Sequence, residues 1–300
     1  MAFGGAKRSW TVLELLNWTA DYFVKAGIEN PRLNAEVLLG KVLGLERIML
    51  YARFEQQVGR AERAGFRELV KRRAAREPLQ YLLGKCEFYG REFEVSPAVM
   101  VPRQETELVV EKCLEKAPEG ELWAADVCTG SGAIAVTLAA ERPAVQLVAT
   151  DSSAAALEVA ARNARKHGVE RRIRFVQGNL AAPVAQHLPV GREGVGLLVS
   201  NPPYVPTAGM DGLQPEVKDY EPRAALDGGA DGLAVIRRLV PEAARLLAPG
   251  GWLVLEIGES QSEALGQMIA EAGLFATATV ETTEDASGCL RVLCVRKSPP

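Results

Sequence analysis

Histidine is nearly missing from this chain: only His167 and His187 occur among 300 residues, and neither stands at metal-ligand spacing. Solvated or helix-end positions suit both, and no metal centre is expected. The five cysteines (Cys86, Cys113, Cys128, Cys289 and Cys294) form no C-x-x-C pair. An odd, scattered set argues for reduced thiols and a cytoplasmic setting. No stretch approaches the ~20 consecutive apolar residues of a membrane span, and the first eight residues hold no apolar signal core. No membrane partner is expected. The net charge of −3 provides no broad pull toward nucleic acid.

The composition is ordinary for a globular protein, with 48% hydrophobic and 24% charged residues. At 300 residues there is room for two domains. The pattern changes near residue 85. Before it, helices are expected: about 10–26, capped by Ser9 and ended by Gly27, with Leu13, Leu16, Trp18 and Phe23 as apolar positions; 31–43, with Pro31 in the first turn and Gly44 as the stop; and 59–77, closed before Pro78. Residues 86–101 alternate loosely around Gly90 and read as a hairpin linking the domains. From 102 to 300, strands and helices alternate, which argues for a parallel sheet. The strand candidates are 121–128, 146–151, 172–178, 195–200, 250–257, 276–282 and 289–296. The last two lie so close together that one is expected to run antiparallel.

The helix at 59–77 carries Arg60, Arg63, Arg67, Lys71, Arg72, Arg73 and Arg76 against Glu62, Glu68 and Glu77. A solvated mixed-charge face is the favoured reading, and a docking face for an acidic or RNA-bearing partner is the alternative.

Three segments carry chemistry. Asp126-Val127-Cys128-Thr129-Gly130-Ser131-Gly132 follows an apolar run and precedes good helix formers, so it reads as strand, glycine-rich loop and helix. Gly130 and Gly132 permit a tight turn and a close ligand approach. This is not the full dinucleotide fingerprint. Asp151 ends the next strand about 20 residues on, the spacing at which a carboxylate grips ribose hydroxyls; capping the helix from Ser153 is a compatible second role. Asn201-Pro202-Pro203-Tyr204 follows the apolar run 195–200, so it falls past the carboxyl end of a strand, where open α/β sheets bind ligands. Prolines have no N–H but keep their carbonyls. This stiff rim offers acceptors, the Asn201 side-chain oxygen and the Pro202 carbonyl, suited to a planar NH2 group, with Tyr204 as a flat face beside it. A plain Pro-Pro turn capped by Asn is the bland alternative. The stretch 205–232, following directly, is long for a loop in a compact domain and reads as a lid over the substrate.

With these motifs at the ends of the first, second and fourth strands, the chain resembles the S-adenosylmethionine-dependent methyltransferases of Rossmann-like fold. Within them it is similar to the protein-glutamine N5-methyltransferases that modify release factors. Pro102-Arg103-Gln104-Glu105-Thr106-Glu107 and Glu221-Pro222-Arg223-Ala224-Ala225-Leu226 carry the closer resemblance, as do 78–84, 88–93 and 249–258. It spans about residues 75–297. It implies an α/β fold, mostly parallel with one antiparallel strand, preceded by a small all-helical domain over 1–85 that docks the substrate. It implies S-adenosylmethionine held by Cys128, Thr129, Gly130, Ser131, Gly132, Asp151, Asn179, Leu180 and Asn201. Asn201 and Pro202 become the catalytic pair, and Asn201, Pro202, Pro203 and Tyr204 the substrate grip. The implied substrate is the glutamine of the Gly-Gly-Gln motif in class 1 peptide chain release factors. A monomer without direct nucleic-acid binding is expected.

Two positions depart from the family pattern: Cys128, where glycine is usual, and Asn179, where aspartate is usual. Cysteine is small enough for the turn provided its backbone is not left-handed. Asn179 keeps an acceptor oxygen for an adenine amino group but loses the charge. The rival readings are a DNA or RNA amino-group methyltransferase with a flipped base, a glutamine methyltransferase of a ribosomal protein, and a non-enzymatic binding module. The catalytic half lacks the basic run that a nucleic-acid channel wants.

Overall fold

Alternation along the strands of the second half dictates its architecture. The computed structural model describes residues 9–271, 280–285 and 287–298. It divides into two units, one of residues 1–84 with 215–220, the other of 85–214 with 221–300.

In the first unit, β1 (Trp10–Thr11) pairs with β2 (Gln57–Val58). That pairing delays the first helix, α1 (Val12–Lys25), so its cap is Thr11 and not Ser9. Glu14 N–H donates to Thr11 Oγ1 at 3.2 Å, and Thr11 N–H donates back to Glu14 Oε2 at 3.0 Å. Such a reciprocal cap stabilises a helix start by ~1 kcal/mol. With this two-residue shift the buried stripe is Val12, Leu15, Leu16, Thr19 and Phe23, and Leu13 is left at 38% exposure. Helices α2 (Pro31–Leu43), α3 (Arg47–Ala52), α4 (Arg60–Ala74) and α5 (Leu79–Leu83) complete this unit. Gly44 ends α2 in the left-handed region as the sequence suggests.

The basic residues of α4 are not simply solvated. Arg73 is buried, donating to Asn34 Oδ1 at 2.8 Å, the Glu77 carbonyl at 3.1 Å and Glu216 at 3.0 Å. Arg76 pairs with the same Glu216 at 2.7 Å and with the Gly27 carbonyl. Arg72 and Lys71 pair with Glu77 and Glu68. Arg73 and Arg76 of this run are thus engaged within the unit, a use that neither sequence reading named. A buried guanidinium needs several acceptors to offset its desolvation.

The second unit opens with a hairpin, β3 (Lys85–Phe88) and β4 (Arg91–Glu94), turned by Tyr89 and Gly90, both at positive φ. It is shorter than the 86–101 span, and its Phe88 and Phe93 are buried in this unit's own core. Helix α6 (Glu105–Lys116) leads into β5 (Leu122–Val127), α7 (Ala133–Glu141), β6 (Val145–Asp151), α8 (Ala154–Lys166), β7 (Ile173–Gln177) and β8 (Val195–Ser200). The short α9 (Pro215–Lys218) belongs to the first unit. Then come α10 (Ala234–Leu246), β9 (Leu247–Glu256), α11 (Ser262–Glu271), β10 (Val280–Glu284) and β11 (Leu290–Arg296). The sequence candidate 276–282 falls partly outside the described residues.

The seven strands order as β10-β11-β9-β8-β5-β6-β7, and β11 runs antiparallel to both neighbours. Chain order reverses direction at β5, between β6 and β8. Side chains of successive strand residues point to opposite faces. Leu122, Ala124, Leu197, Val199 and Val254 pack with α6 and α7. Their neighbours Trp123, Ala125, Leu198, Leu253 and Leu255 pack with α10 and α11. Burial on both faces explains why these strands read as unbroken apolar runs.

Candidate active site

The loop after β5 is shaped from below by Asp126, which is fully buried. Its Oδ2 accepts the Thr129 hydroxyl at 2.6 Å and the Ala135 N–H at 3.1 Å, tying the loop to the first turn of α7. From the side, Thr129 N–H donates to the Thr150 carbonyl at 2.9 Å and Gly130 N–H to Asp151 Oδ2 at 2.9 Å. Gly130 and Gly132 have φ of +55° and +79°. A Cβ on Gly132 would stand 3.0 Å from the Ala160 Cβ, so helices α7 and α8 close over it only because it is glycine. Asp126 was not singled out in the sequence, although its place one turn before the glycines was the available signal.

Burial pushes the Asp126 carboxyl up to about 7, against the two hydrogen bonds that favour its charged form. An acid whose folded pKa exceeds its unfolded value keeps its proton longer when folded. Stability is therefore lost as pH rises from the unfolded value near 4 to the folded value near 7. Asp126→Asn removes that titration. In denaturant unfolding, wild type should lose ~2–3 kcal/mol relative to this variant between pH 5 and pH 7. A pH-independent difference would contradict the assignment.

Cys128 adopts φ +63°, so the sequence condition for a harmless cysteine is not met: its backbone is left-handed. The thiol is pushed up to about 12, chiefly by burial, which makes it inert at neutral pH. A β-branched residue is excluded from this conformation. Cys128→Val should lower stability by ~1–3 kcal/mol, whereas Cys128→Gly should stay within ~1 kcal/mol of wild type. Equal effects of the two substitutions, read by chemical denaturation, would contradict the backbone explanation.

Above the loop lies a cavity of about 330 Å³, in the range of small-ligand sites. Cys128, Thr129, Gly130, Ser131, Asp151, Asn179, Leu180, Asn201 and Pro203 all border it. Asp151 stands at the end of β6, with Oδ1 accepting the Ser153 N–H at 2.9 Å and Oδ2 held by Gly130. The helix cap itself is Ser153, whose hydroxyl accepts from Ala156 at 3.2 Å. Asp151 still has lone pairs for a ligand, because a carboxylate offers about four acceptor sites. Asn179 and Leu180 follow β7, and the Leu180 carbonyl accepts the Thr150 hydroxyl at 2.8 Å. The walls also include Val99, Met100, Pro102, Thr106, Pro222 and Ala225. Pro102, Thr106, Pro222 and Ala225 come from the Pro-Arg-x-Glu-Thr-Glu and Glu-Pro-x-x-Ala-Leu segments, whose motif character was visible but whose place was not.

Gly132, Pro202 and Tyr204 do not border the cavity. Gly132 opens α7, and Pro202 is buried. Tyr204 is drawn back by Glu256: its hydroxyl donates to Glu256 Oε1 at 3.1 Å, and its ring packs on the core beneath. The structure does not bring the expected flat face to the cavity wall. The phenol is raised by burial and by the neighbouring Glu256, so it stays a hydrogen-bond donor. Asn201 Nδ2 donates to Thr106 Oγ1 at 3.2 Å, and the Thr106 hydroxyl donates to Glu256 Oε2 at 2.6 Å.

The stretch 205–232 is not structureless. It holds 3-10 turns at Thr207–Gly212 and Arg223–Ala225 and a bridge between Val205 and Asp227. Arg103 pairs with buried Glu221 at 2.6 Å, which fixes the segment beside Pro222. Among the described residues, no group of side chains suits a metal ion and no helix is long and apolar enough to cross a membrane.

The sheet order and the glycine-rich loop after its first parallel strand are those of an α/β domain of methyltransferase type. Residues 104–212 match the family model described as methyltransferase small domain, and residues 14–84 match the PrmC N-terminal domain. The chain is 45% identical to a release factor glutamine methyltransferase of Geobacter sulfurreducens, over 95% of this chain and 96% of that one. It is 46% identical to the enzyme of the same name from Moorella thermoacetica, over 88% and 92% of the two chains. The chain belongs to the release factor glutamine methyltransferase family.

Proposed function

We propose that this chain transfers a methyl group from S-adenosylmethionine to the side-chain amide nitrogen of a protein glutamine, in the Gly-Gly-Gln motif of a peptide chain release factor in the cytoplasm. The observation that carries the reading is convergence: the glycine-rich loop, Asp151 and Asn201 border one cavity. The residues suit a nucleoside cofactor. Nothing lies within 4 Å of where a Cβ on Gly130 would stand, so a ligand can approach that backbone. Asp151 is placed to accept ribose hydroxyls, and Asn179 keeps an acceptor for an adenine amino group.

S-adenosylmethionine, when bound, supplies a methyl group on a sulfonium sulfur as the electrophile. The chain's own task is to present the nucleophile. An amide nitrogen shares its lone pair with its carbonyl, so it is weak unless oriented. Asn201 Oδ1 accepts no hydrogen bond from the described residues, because Nδ2 is the end held by Thr106. With the Pro202 carbonyl it would accept both amide hydrogens and fix the nitrogen toward the methyl. Holding reactants about 3–3.5 Å apart removes much of the entropic barrier. As positive charge develops on nitrogen, two fixed acceptor dipoles stabilise it. Neutral Asn201 is no strong base, so the proton leaves to water or another acceptor after transfer.

The test supplies the protein with methyl-labelled cofactor and, separately, a release factor, a ribosomal protein and duplex DNA. Label on the release-factor glutamine is the expected result. Label only on the ribosomal protein or only on DNA would replace the substrate reading, and no label on any of the three would overturn it.

A further inference from the structure

We infer that Thr106 and Glu256 are positioning residues that decide which end of the Asn201 carboxamide faces the cavity. The inference rests on the reading of Asn201 above and extends it to two further side chains, linked to Asn201 by hydrogen bonds.

An asparagine side chain is nearly symmetric in shape, yet one end accepts and the other donates. If its NH2 faced the substrate, two donors would oppose each other and the amide would be repelled. Shape alone does not prevent that flip. The polarity of a buried chain does. Glu256, at the end of β9, is 2% exposed, and two hydroxyls meet its two oxygens, Thr106 at 2.6 Å and Tyr204 at 3.1 Å. A carboxylate only accepts, so Thr106, itself 3% exposed, gives its single proton to Glu256. What remains on Thr106 Oγ1 is lone pairs. The group 3.2 Å away must then be the Asn201 NH2, which leaves Oδ1 as the free end.

The direction of every hydrogen bond thus follows from the one charge at the far end. The chain joins three distant segments: the start of α6, the end of β9 and the Asn-Pro-Pro-Tyr rim. Burial raises the Glu256 carboxyl, while the Thr106 and Tyr204 hydroxyls counter that rise. Tyr204 therefore has a role behind the rim, satisfying the second oxygen.

The test is a double-mutant cycle on Asn201→Ala and Thr106→Val, with Thr106→Ser as rescue, measuring kcat, KM for the glutamine substrate, calorimetric cofactor affinity and melting temperature. Valine keeps the volume of threonine and removes the hydroxyl. Thr106→Val should lower kcat about 10- to 100-fold, with cofactor affinity within about threefold, and Thr106→Ser should recover most of the rate. In the Asn201→Ala background, Thr106→Val should cost nothing further. If Thr106→Val melts below the assay temperature, Thr106→Ala is read by the same criteria. A Thr106→Val enzyme at wild-type rate, or two losses that multiply in the double variant, would overturn the positioning role while leaving Asn201 in place. A near-wild-type Asn201→Ala would instead overturn the reading on which this inference stands.

Discussion

Asn201→Ala should reduce turnover by roughly 100- to 1,000-fold, the usual consequence of removing one preorganised dipole from a developing charge. The loss should appear in kcat. Cofactor affinity, read by calorimetry, should change by less than about threefold, because in the proposed reading the loop and Asp151, which also border the cavity, would hold that ligand. The substitution removes the Oδ1 acceptor and also frees Thr106, whose Oγ1 loses its Nδ2 partner. Thr106 keeps its hydrogen bond to Glu256, so the protein should still fold. A rate within about threefold of wild type would end the role assigned to Asn201.

Asp151→Ala should act on the other substrate. Two backbone donors, from Gly130 and Ser153, lose their acceptor, each previously at 2.9 Å. Two ribose hydroxyls would lose theirs as well. Hydrogen bonds to a charged group contribute about 1.5–3 kcal/mol each. A combined loss near ~3 kcal/mol corresponds to roughly 100-fold in affinity for S-adenosylmethionine. At saturating cofactor kcat should recover to near the wild-type value, which separates this variant from Asn201→Ala. If calorimetry gave wild-type affinity, Asp151 would be only a loop anchor.

The opposite behaviour of the two variants reflects how the site is divided. In the proposed reading the strand-end acid and the glycine-rich loop would grip a ligand that arrives ready to react. The Asn-Pro-Pro rim would handle the partner that must be made reactive. Orientation would be the rim's chief contribution, which is why a single hydrogen-bond direction at Thr106 carries weight.

Much of this was legible in the residues. Runs such as 122–127 and 195–200 are apolar because both faces of the sheet are covered, so strands announced themselves by length and by the loop chemistry that followed. The ends of those strands then located Asp151 and Asn201 without tertiary information. Three features were hidden. Thr11 displaced Ser9 as the helix cap because a two-residue bridge with Gln57–Val58 precedes the helix, a pairing about 46 residues distant in sequence that no local pattern encodes. The left-handed backbone of Cys128 was raised only as a condition by the glycine usual at that position, since the loop's geometry is imposed by Asp126 and the Thr150 carbonyl. The link from Thr106 to Glu256 spans 150 positions. Glu256 also holds the Tyr204 hydroxyl, and Tyr204 does not border the cavity, where its ring alone would have suited a flat substrate.

Strand β9 shows a smaller case. The sequence candidate for it starts at residue 250, whereas the strand begins at Leu247 by pairing with Val195. The ladder slips beside that point, between Val195 and Leu197, so Pro249 is accommodated where pairing is irregular.

The measurement that bears most directly on the account is a structure of the protein with S-adenosylhomocysteine and a glutamine-bearing peptide. The account predicts the glutamine nitrogen within hydrogen-bond distance of both Asn201 Oδ1 and the Pro202 carbonyl, with Asn201 Nδ2 still on Thr106. A glutamine seated elsewhere, or an Asn201 amide turned so that its NH2 faces the substrate, would contradict it.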